Sequence, residues 1–401
     1  MDPSIEDIEE EQRHFANVIS TFNNYAQFTL SANNRRRKDV YILPKADQDL
    51  LEGLGYKEKL EAVDKAIIAN ADFLHQMVDD PRIFGHEIDD DEDHSEPAPH
   101  SHSHDAGTSH SHSHSHSHAQ PQPGHSHSNS GPTRGKYRPT EADMDKLRST
   151  LKQLVRDWSE EGRSEREVCY KPIKDALVKH FAKVPPEERR NLRVLVPGSG
   201  LGRLSFDVAQ MGFACQANEF SHYMLLASYF ILNKTDQVKQ HTFYPYVHSF
   251  SNAPNRESIL QAISIPDVRP SDLPAGSDFS LVAGDFEEIF ANPDQKGQWN
   301  AILTCFFIDT AKNIVNYLRI LHEILAPGGV WINVGPLLWH WENNNSNDPS
   351  VELDMEEVKA LARKIGFEIS NETTIDTTYT NNAKSLLGYV YHAAFWTATK
   401  I

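Results

Sequence analysis

Three short segments carry residue types that could hold a nucleoside. In RVLVPGSGLGRLSF, residues 193–206, an apolar run meets Gly198, Gly200 and Gly202, and a helical pattern starts at once. Glycines turn the chain with positive φ and let backbone approach a ligand closely. Glu219 follows Gly198 by 21 residues, at the end of the next apolar segment. A carboxylate there can accept from both hydroxyls of a ribose. The third segment is Gly284-Asp285-Phe286, directly after FSLVA. Asp285 can accept from an adenine amino group, and Phe286 can cover the ring. The glycine spacing is GxGxG, with Arg203 next, and not the GxGxxG of dinucleotide turns. The set therefore favours a nucleoside cofactor without showing a pyrophosphate site. Each piece also has a plain reading: Gly198 and Gly202 as packing glycines, Glu219 as a solvated strand end, Asp285 as a helix cap.

The elements that must position these residues alternate. Strands are expected at Arg193–Pro197, Phe213–Asn218, Phe279–Ala283, Trp299–Cys305 and Val330–Val334. Helices are expected at Arg203–Met211, His222–Leu232 and Thr310–Leu325. Such alternation reads as an α/β fold, a Rossmann-like doubly wound sheet that is mostly parallel. The candidate residues then stand at the C-terminal ends of successive strands, where open α/β sheets bind ligands. Two later segments, Glu368–Thr378 and Leu387–Thr399, could add an antiparallel edge. Helices near Glu141–Gly162 and Glu165–Phe181 precede the first strand.

Upstream, residues 1–88 read as a helical region, with Phe15, Val18, Ile19 and Phe22 at helical spacing and a second helix near Lys57–Met77. The basic run Arg35–Lys38 between them reads as a solvated turn or as a nuclear-import address. Residues 89–139 are acidic and then Ser/His-rich, with eleven of the 21 histidines between His94 and His127. With almost nothing apolar to bury, this stretch is expected to be a disordered insertion. A loose metal-binding role stays open, but no fixed ligand geometry is apparent. Residues 140–401 form the third unit.

Composition narrows the class. A formal charge of −18 over 401 residues argues against broad contact with nucleic acid or an anionic membrane. No apolar run is long enough to span a bilayer, and the N-terminus lacks a signal-peptide pattern. Cys169, Cys215 and Cys305 form neither a disulfide framework nor a metal-binding pair. The expected setting is cytoplasmic, with the nucleus open.

The residues above resemble a class I S-adenosylmethionine-dependent methyltransferase, and more narrowly the carnosine N-methyltransferase family, which methylates the imidazole of β-alanyl-histidine to give anserine. The resemblance covers roughly residues 145–401. It rests on STLKQLVRDWSEEG at 149–162, VPGSGLGRL at 196–204, CQANEFSHYML at 215–225, TCFFIDTAKN at 304–313 and GGVWINVGPLLWHWEN at 328–343. It implies S-adenosylmethionine as cofactor, with Gln153 and Arg156 at its methionine end. An arginine suits that carboxylate, since its planar fork makes a bidentate ion pair. Gly198, Glu219, Asp285 and Phe286 would meet the nucleoside, and Cys305 would stand on the cofactor side; a buried strand cysteine is its plain alternative.

For the substrate, the resemblance implies Asp309, His340 and Tyr391. The expected chemistry is in-line displacement by a neutral imidazole nitrogen, with Asp309 fixing the tautomer and His340 and Tyr391 aligning the dipeptide. As plain alternatives, Asp309 could be a helix cap, His340 a core or surface histidine and Tyr391 a core aromatic. Residues 239–275 are expected to shape the substrate side. The family suggests a homodimer. Two other functions stay open: histidine methylation in another peptide or protein, and a non-catalytic metal-binding or scaffold role.

Overall fold

A computed structural model describes residues 5–79, 137–344 and 348–401. The Ser/His tract lies outside the described residues.

The chain opens with α1 (Ile5–Tyr41), α2 (Lys45–Gly53) and α3 (Tyr56–Val78). The basic run Arg35–Lys38 lies inside α1 and is not a turn. Nothing between Thr29 and Leu43 breaks a helix, and the next proline is Pro44. Packing also recruits the run. Arg36 sits 4.2 Å over the Phe250 ring, and Arg37 pairs with Asp64.

Next come α4 (Glu141–Trp158) and α5 (Arg163–His180). Thr140 and Asp143 close a capping box that starts α4. Each side chain satisfies a backbone N–H that the first helical turn leaves open. Phe15, Phe22 and Leu74 of the N-terminal helices share one buried core with Leu151 and Trp158 of α4 and with Leu226 further on. The N-terminal region therefore packs on the rest of the chain through continuous apolar contact.

The sheet alternates from there: β1 (Arg193–Pro197), α6 (Arg203–Gln210), β2 (Ala214–Glu219) and α7 (His222–Lys234). A small excursion follows, with β3 (His241–Phe243), α8 (Arg256–Ile259) and β4 (Ile263–Ile265). The main sheet resumes with β5 (Phe279–Ala283), α9 (Phe286–Phe290), β6 (Trp299–Cys305), α10 (Ile314–Ile324) and β7 (Leu325–Gly335). It ends with α11 (Met355–Ile365), β8 (Phe367–Thr377) and β9 (Tyr391–Lys400).

Seven strands lie in the order β5-β2-β1-β6-β7-β9-β8. The first five are parallel, and β9 runs antiparallel to both β7 and β8. The sheet is thus the doubly wound, Rossmann-like one expected, including its antiparallel edge. The chain builds outward from β1 to β5, then returns to start the other half at β6. That reversal opens a crevice beyond the C-terminal ends of β1 and β6. Gly198 follows β1 and Phe306 follows β6 at its two lips.

The excursion at 239–275 corrects one expectation. Phe243, Val247, Ile263 and Ile265 are fully buried in the core shared with α1, α3 and α4. Four large apolar side chains bury more area there than a polar loop could, so this segment supports the helices and contributes no wall to the crevice.

Candidate active site

One cavity occupies the crevice and brings together most of the residues singled out above. At its first end the glycine turn runs with φ of 60° at Gly198, 55° at Gly200 and 78° at Gly202. A Cβ on Gly198 would stand 2.5 Å from Phe307, so close approach demands glycine. Around Gly200 no atom lies within 4 Å of such a Cβ, which leaves an open cradle. Arg203, the residue that breaks the dinucleotide spacing, points inward. Its guanidinium donates to Asp207 at 2.8 Å, to the Asp157 carbonyl at 2.8 Å and to Asp267 at 2.6 Å. It anchors α6 beneath the turn.

Glu219 is buried, not a solvated strand end. Its Oε2 accepts from the Gly200 N–H at 2.7 Å, and its Oε1 from Phe220 and Ser221 at 2.9 and 2.8 Å. Burial raises its pKa, and these three backbone donors work in the opposite direction. A carboxylate offers about four acceptor sites. Three are used, so one remains for a ligand, where the sequence reading expected two. Asp285 caps α9, with Oδ1 accepting from Glu287 and Glu288 at 2.8 and 3.2 Å. It also lies on the cavity wall beside Phe286. Phe286 stands edge-on to Phe307 at 5.3 Å.

Along α4, Gln153 faces the cavity and donates to the Tyr379 hydroxyl at 2.6 Å. Arg156 and Cys305 do not line the cavity's wall; both sit behind it. The Arg156 guanidinium is held between the Tyr170 and Tyr379 rings, 4.9 and 4.8 Å from their centroids. Its Nη1 donates to Asp157 and to the Tyr170 hydroxyl. Its Nε and Nη2 are buried and make no hydrogen bond; the Glu165 carboxylate stands 3.8 Å from Nε. These two nitrogens form one edge of the fork, the edge that takes a carboxylate side-on. The Cys305 thiol is pushed up by its hydrogen bond with Cys169 and by burial.

At the far end, Asp309 lies in the short turn Ile308–Thr310 after β6. It does not cap α10; Asn313 does, accepting from Val315 at 3.1 Å. One Asp309 oxygen, Oδ2, accepts from the Leu338 N–H at 2.9 Å. The other, Oδ1, is buried and accepts from no neighbouring residue. With the residue 3% exposed, burial pushes the carboxyl up to about 7. The His340 backbone N–H donates to the Asp309 carbonyl at 3.0 Å, which joins the β7 loop to the β6 turn. Burial lowers the His340 pKa, so its ring is neutral near pH 7. Tyr391 opens β9 on the same wall, and burial and Asp309 raise its hydroxyl pKa.

Among the aromatic wall residues that escaped the sequence reading are Phe306, Phe307 and Tyr379. The phenylalanines stand in the quoted TCFFIDTAKN segment, so a signal was present. Tyr379 belongs to the connection between β8 and β9 and carried none.

The carnosine N-methyltransferase family matches residues 134–401. The chain belongs to that family. It is 45% identical over 271 residues to carnosine N-methyltransferase of Mus musculus, covering 66% of each chain. To the protein of that name from Schizosaccharomyces pombe it is 46% identical over 264 residues, 63% of this chain and 70% of the relative. To that from Dictyostelium discoideum it is 34% identical over 400 residues, 96% of this chain and 76% of the relative. The chain thus spans 66% of the length of the mouse relative, just under two thirds. The family match contains both ends of the cavity, from Gln153 to Tyr391, while α1–α3 lie before it.

Proposed function

We propose that the protein transfers a methyl group from S-adenosylmethionine to an imidazole nitrogen of carnosine, giving anserine, or of a related histidine-containing di- or tripeptide. The observation that carries this reading is Asp309: a buried carboxylate with one bare oxygen, in the same cavity as a glycine turn fit for a nucleoside. Membership of the family supports it.

The cofactor's chemical groups match what the chain leaves open. Glu219 has one acceptor site for a ribose hydroxyl, and Gly200 leaves backbone-sized room beside it. Phe286 would cover adenine. The Nε/Nη2 edge of Arg156 would take the methionine carboxylate, with Gln153 three residues before it on α4 and on the cavity wall. When bound, S-adenosylmethionine would supply a sulfonium methyl already activated for displacement, its S–C bond breaking to leave the neutral thioether S-adenosylhomocysteine.

The protein's own work is positioning and exclusion of water. Asp309 Oδ1 accepts the N–H of the entering imidazole. That bond leaves the opposite nitrogen with its lone pair and fixes the reactive tautomer. As the ring gains positive charge, its N–H grows more acidic, and a carboxyl with a pKa of about 7 can take that proton. Neutral His340 presents no cation to repel the developing charge. Tyr391 closes the same wall.

The test is incubation with S-adenosylmethionine and carnosine, read by mass spectrometry. A singly methylated dipeptide that disappears in His340→Ala supports the reading. Cofactor binding by calorimetry without product redirects it to other histidine-containing peptides. Neither binding nor product overturns it.

A further inference from the structure

Phe306 is the only aromatic residue among those described with positive φ, at 55°. Bulky side chains rarely adopt the left-handed region, and where they do, the surrounding structure holds them there. The hold is visible. The Phe306 N–H donates to the Val334 carbonyl at 2.8 Å, tying the end of β6 to the end of β7. The next residue on β7 is Gly335, where a Cβ would stand 3.2 Å from the Phe306 nitrogen and 3.3 Å from its Cα. Glycine there leaves room for the unusual backbone.

The backbone aims the ring. Phe306 lies against Tyr379, centroids 4.5 Å apart and planes at 32°, and edge-on to Tyr391 at 5.5 Å and 89°. Offset and edge-on contacts are the favoured aromatic geometries. All three rings line the cavity that holds Asp309. One strained residue thus joins four segments: the ends of β6 and β7, the β8–β9 connection and the start of β9.

We infer that Phe306 is a positioning residue, whose ring sets the orientation of Tyr379 and Tyr391 around the entering imidazole. The inference rests on the methyl-transfer reading above. A relaxed backbone at 306 would send the ring elsewhere and remove its contacts with both tyrosines.

The test uses Phe306→Ala, Phe306→Gly and Phe306→Tyr in the full chain, with Phe306→Leu added should alanine impair folding. Calorimetry with S-adenosylhomocysteine reads the cofactor end, and steady-state kinetics with carnosine read kcat and KM. Misplacing reacting groups by a fraction of their separation costs about 100-fold, so Phe306→Ala should lose about that much kcat while S-adenosylhomocysteine affinity stays within about threefold. Phe306→Tyr, which keeps the ring, should stay within about fivefold of the parent. Phe306→Gly, which frees the backbone but lacks a ring, should match alanine. The inference is overturned if alanine keeps more than about a third of kcat, if its cofactor affinity falls in step with kcat, or if glycine is about tenfold better than alanine. A crystal structure of Phe306→Ala gives a reading that needs no turnover. Tyr379 and Tyr391 rings shifted by about 1 Å or more support the inference, and rings that superimpose on the parent's overturn it. A parent protein that yields no methylated dipeptide would sink the methyl-transfer reading instead, and the crystal structure alone would then decide the role of Phe306.

Discussion

The two ends of the cavity are built on opposite plans. At the glycine turn, backbone N–H groups are already paired: Glu219 takes three of them, and the Ser199 N–H donates to the Asn218 carbonyl at 2.9 Å, while the Ser199 hydroxyl is buried without a partner. At the other end, Asp309 keeps a buried oxygen unpaired, and Phe306 holds a left-handed backbone. An unpaired buried polar atom costs about 1–3 kcal/mol, and a strained backbone residue about as much again. A fold keeps such costs where another gain offsets them. The first end holds by backbone geometry; the second keeps groups that, in the proposed reading, meet the imidazole.

The sharpest way to break this comparison is Asp309→Asn. Removing the acceptor of the imidazole N–H should lower kcat about 1,000-fold, within the range for a positioned acid–base group. Cofactor affinity should hold, because Asp309 touches nothing at the glycine turn. Stability gives a second readout, with a definite sign. The folded-state pKa of Asp309 is raised from 3.8 to about 7, so the folded protein binds this proton more tightly than the unfolded chain. Ionisation therefore disfavours the fold as pH climbs from about 4 to 7, and the deficit persists above 7. Asparagine removes it, so the variant should melt no lower than the parent at pH 8. A variant that melts well below the parent would make Asp309 a structural residue.

Glu219→Gln probes the other end and should give the reverse pattern. A glutamine presents N–H groups where Phe220, Ser221 or Gly200 already donates. The amide nitrogen can no longer accept from the ribose hydroxyl, at about 1–3 kcal/mol, or roughly 5-fold to 150-fold in cofactor affinity. At saturating cofactor, kcat should recover most of its value. Equal losses in both parameters would erase the distinction between the ends.

The distinction was only partly legible in the sequence. The spans of β1, β5 and β6 match the expected ones, because each is a short, largely apolar run. The glycine turn was legible for the same reason: its signal is local. Asp309 could be placed after β6, but the bond that occupies its Oδ2 and leaves Oδ1 bare comes from the Leu338 N–H, which belongs to another loop. Tyr379 was invisible, since its partners Gln153, Phe306 and Arg156 all lie far from it in the chain. The run Arg35–Lys38 was misread as a turn because charge density says nothing about helix continuation. The segment 239–275 was misassigned because a long connection between strands hides whether its apolar residues serve a site or a core.

pH separates the ends without mutation. In the proposed reaction both Asp309 and the imidazole lose a proton before attack, and their pKa values lie close together, near 7 and about 6.5. The acid limb of kcat/KM for carnosine should therefore fall more steeply than one proton per unit below about pH 6. In Glu219→Gln the limb should keep its shape. In Asp309→Asn the residual activity should follow one proton only, that of the imidazole itself.

The smallest effect tests the residue that touches both plans. Tyr379 accepts from Gln153 at one end and lies on Phe306 at the other. Tyr379→Phe removes the hydroxyl and keeps the ring. A neutral hydrogen bond is worth about 0.5–1.5 kcal/mol net, roughly 2-fold to 13-fold. Because the ring contacts with Phe306 and Arg156 remain, most of that loss should appear in cofactor affinity, through a looser Gln153. Should the loss fall mainly on kcat instead, the hydroxyl would belong to the imidazole end, and the division between the two plans would run through Gln153 and not through Tyr379.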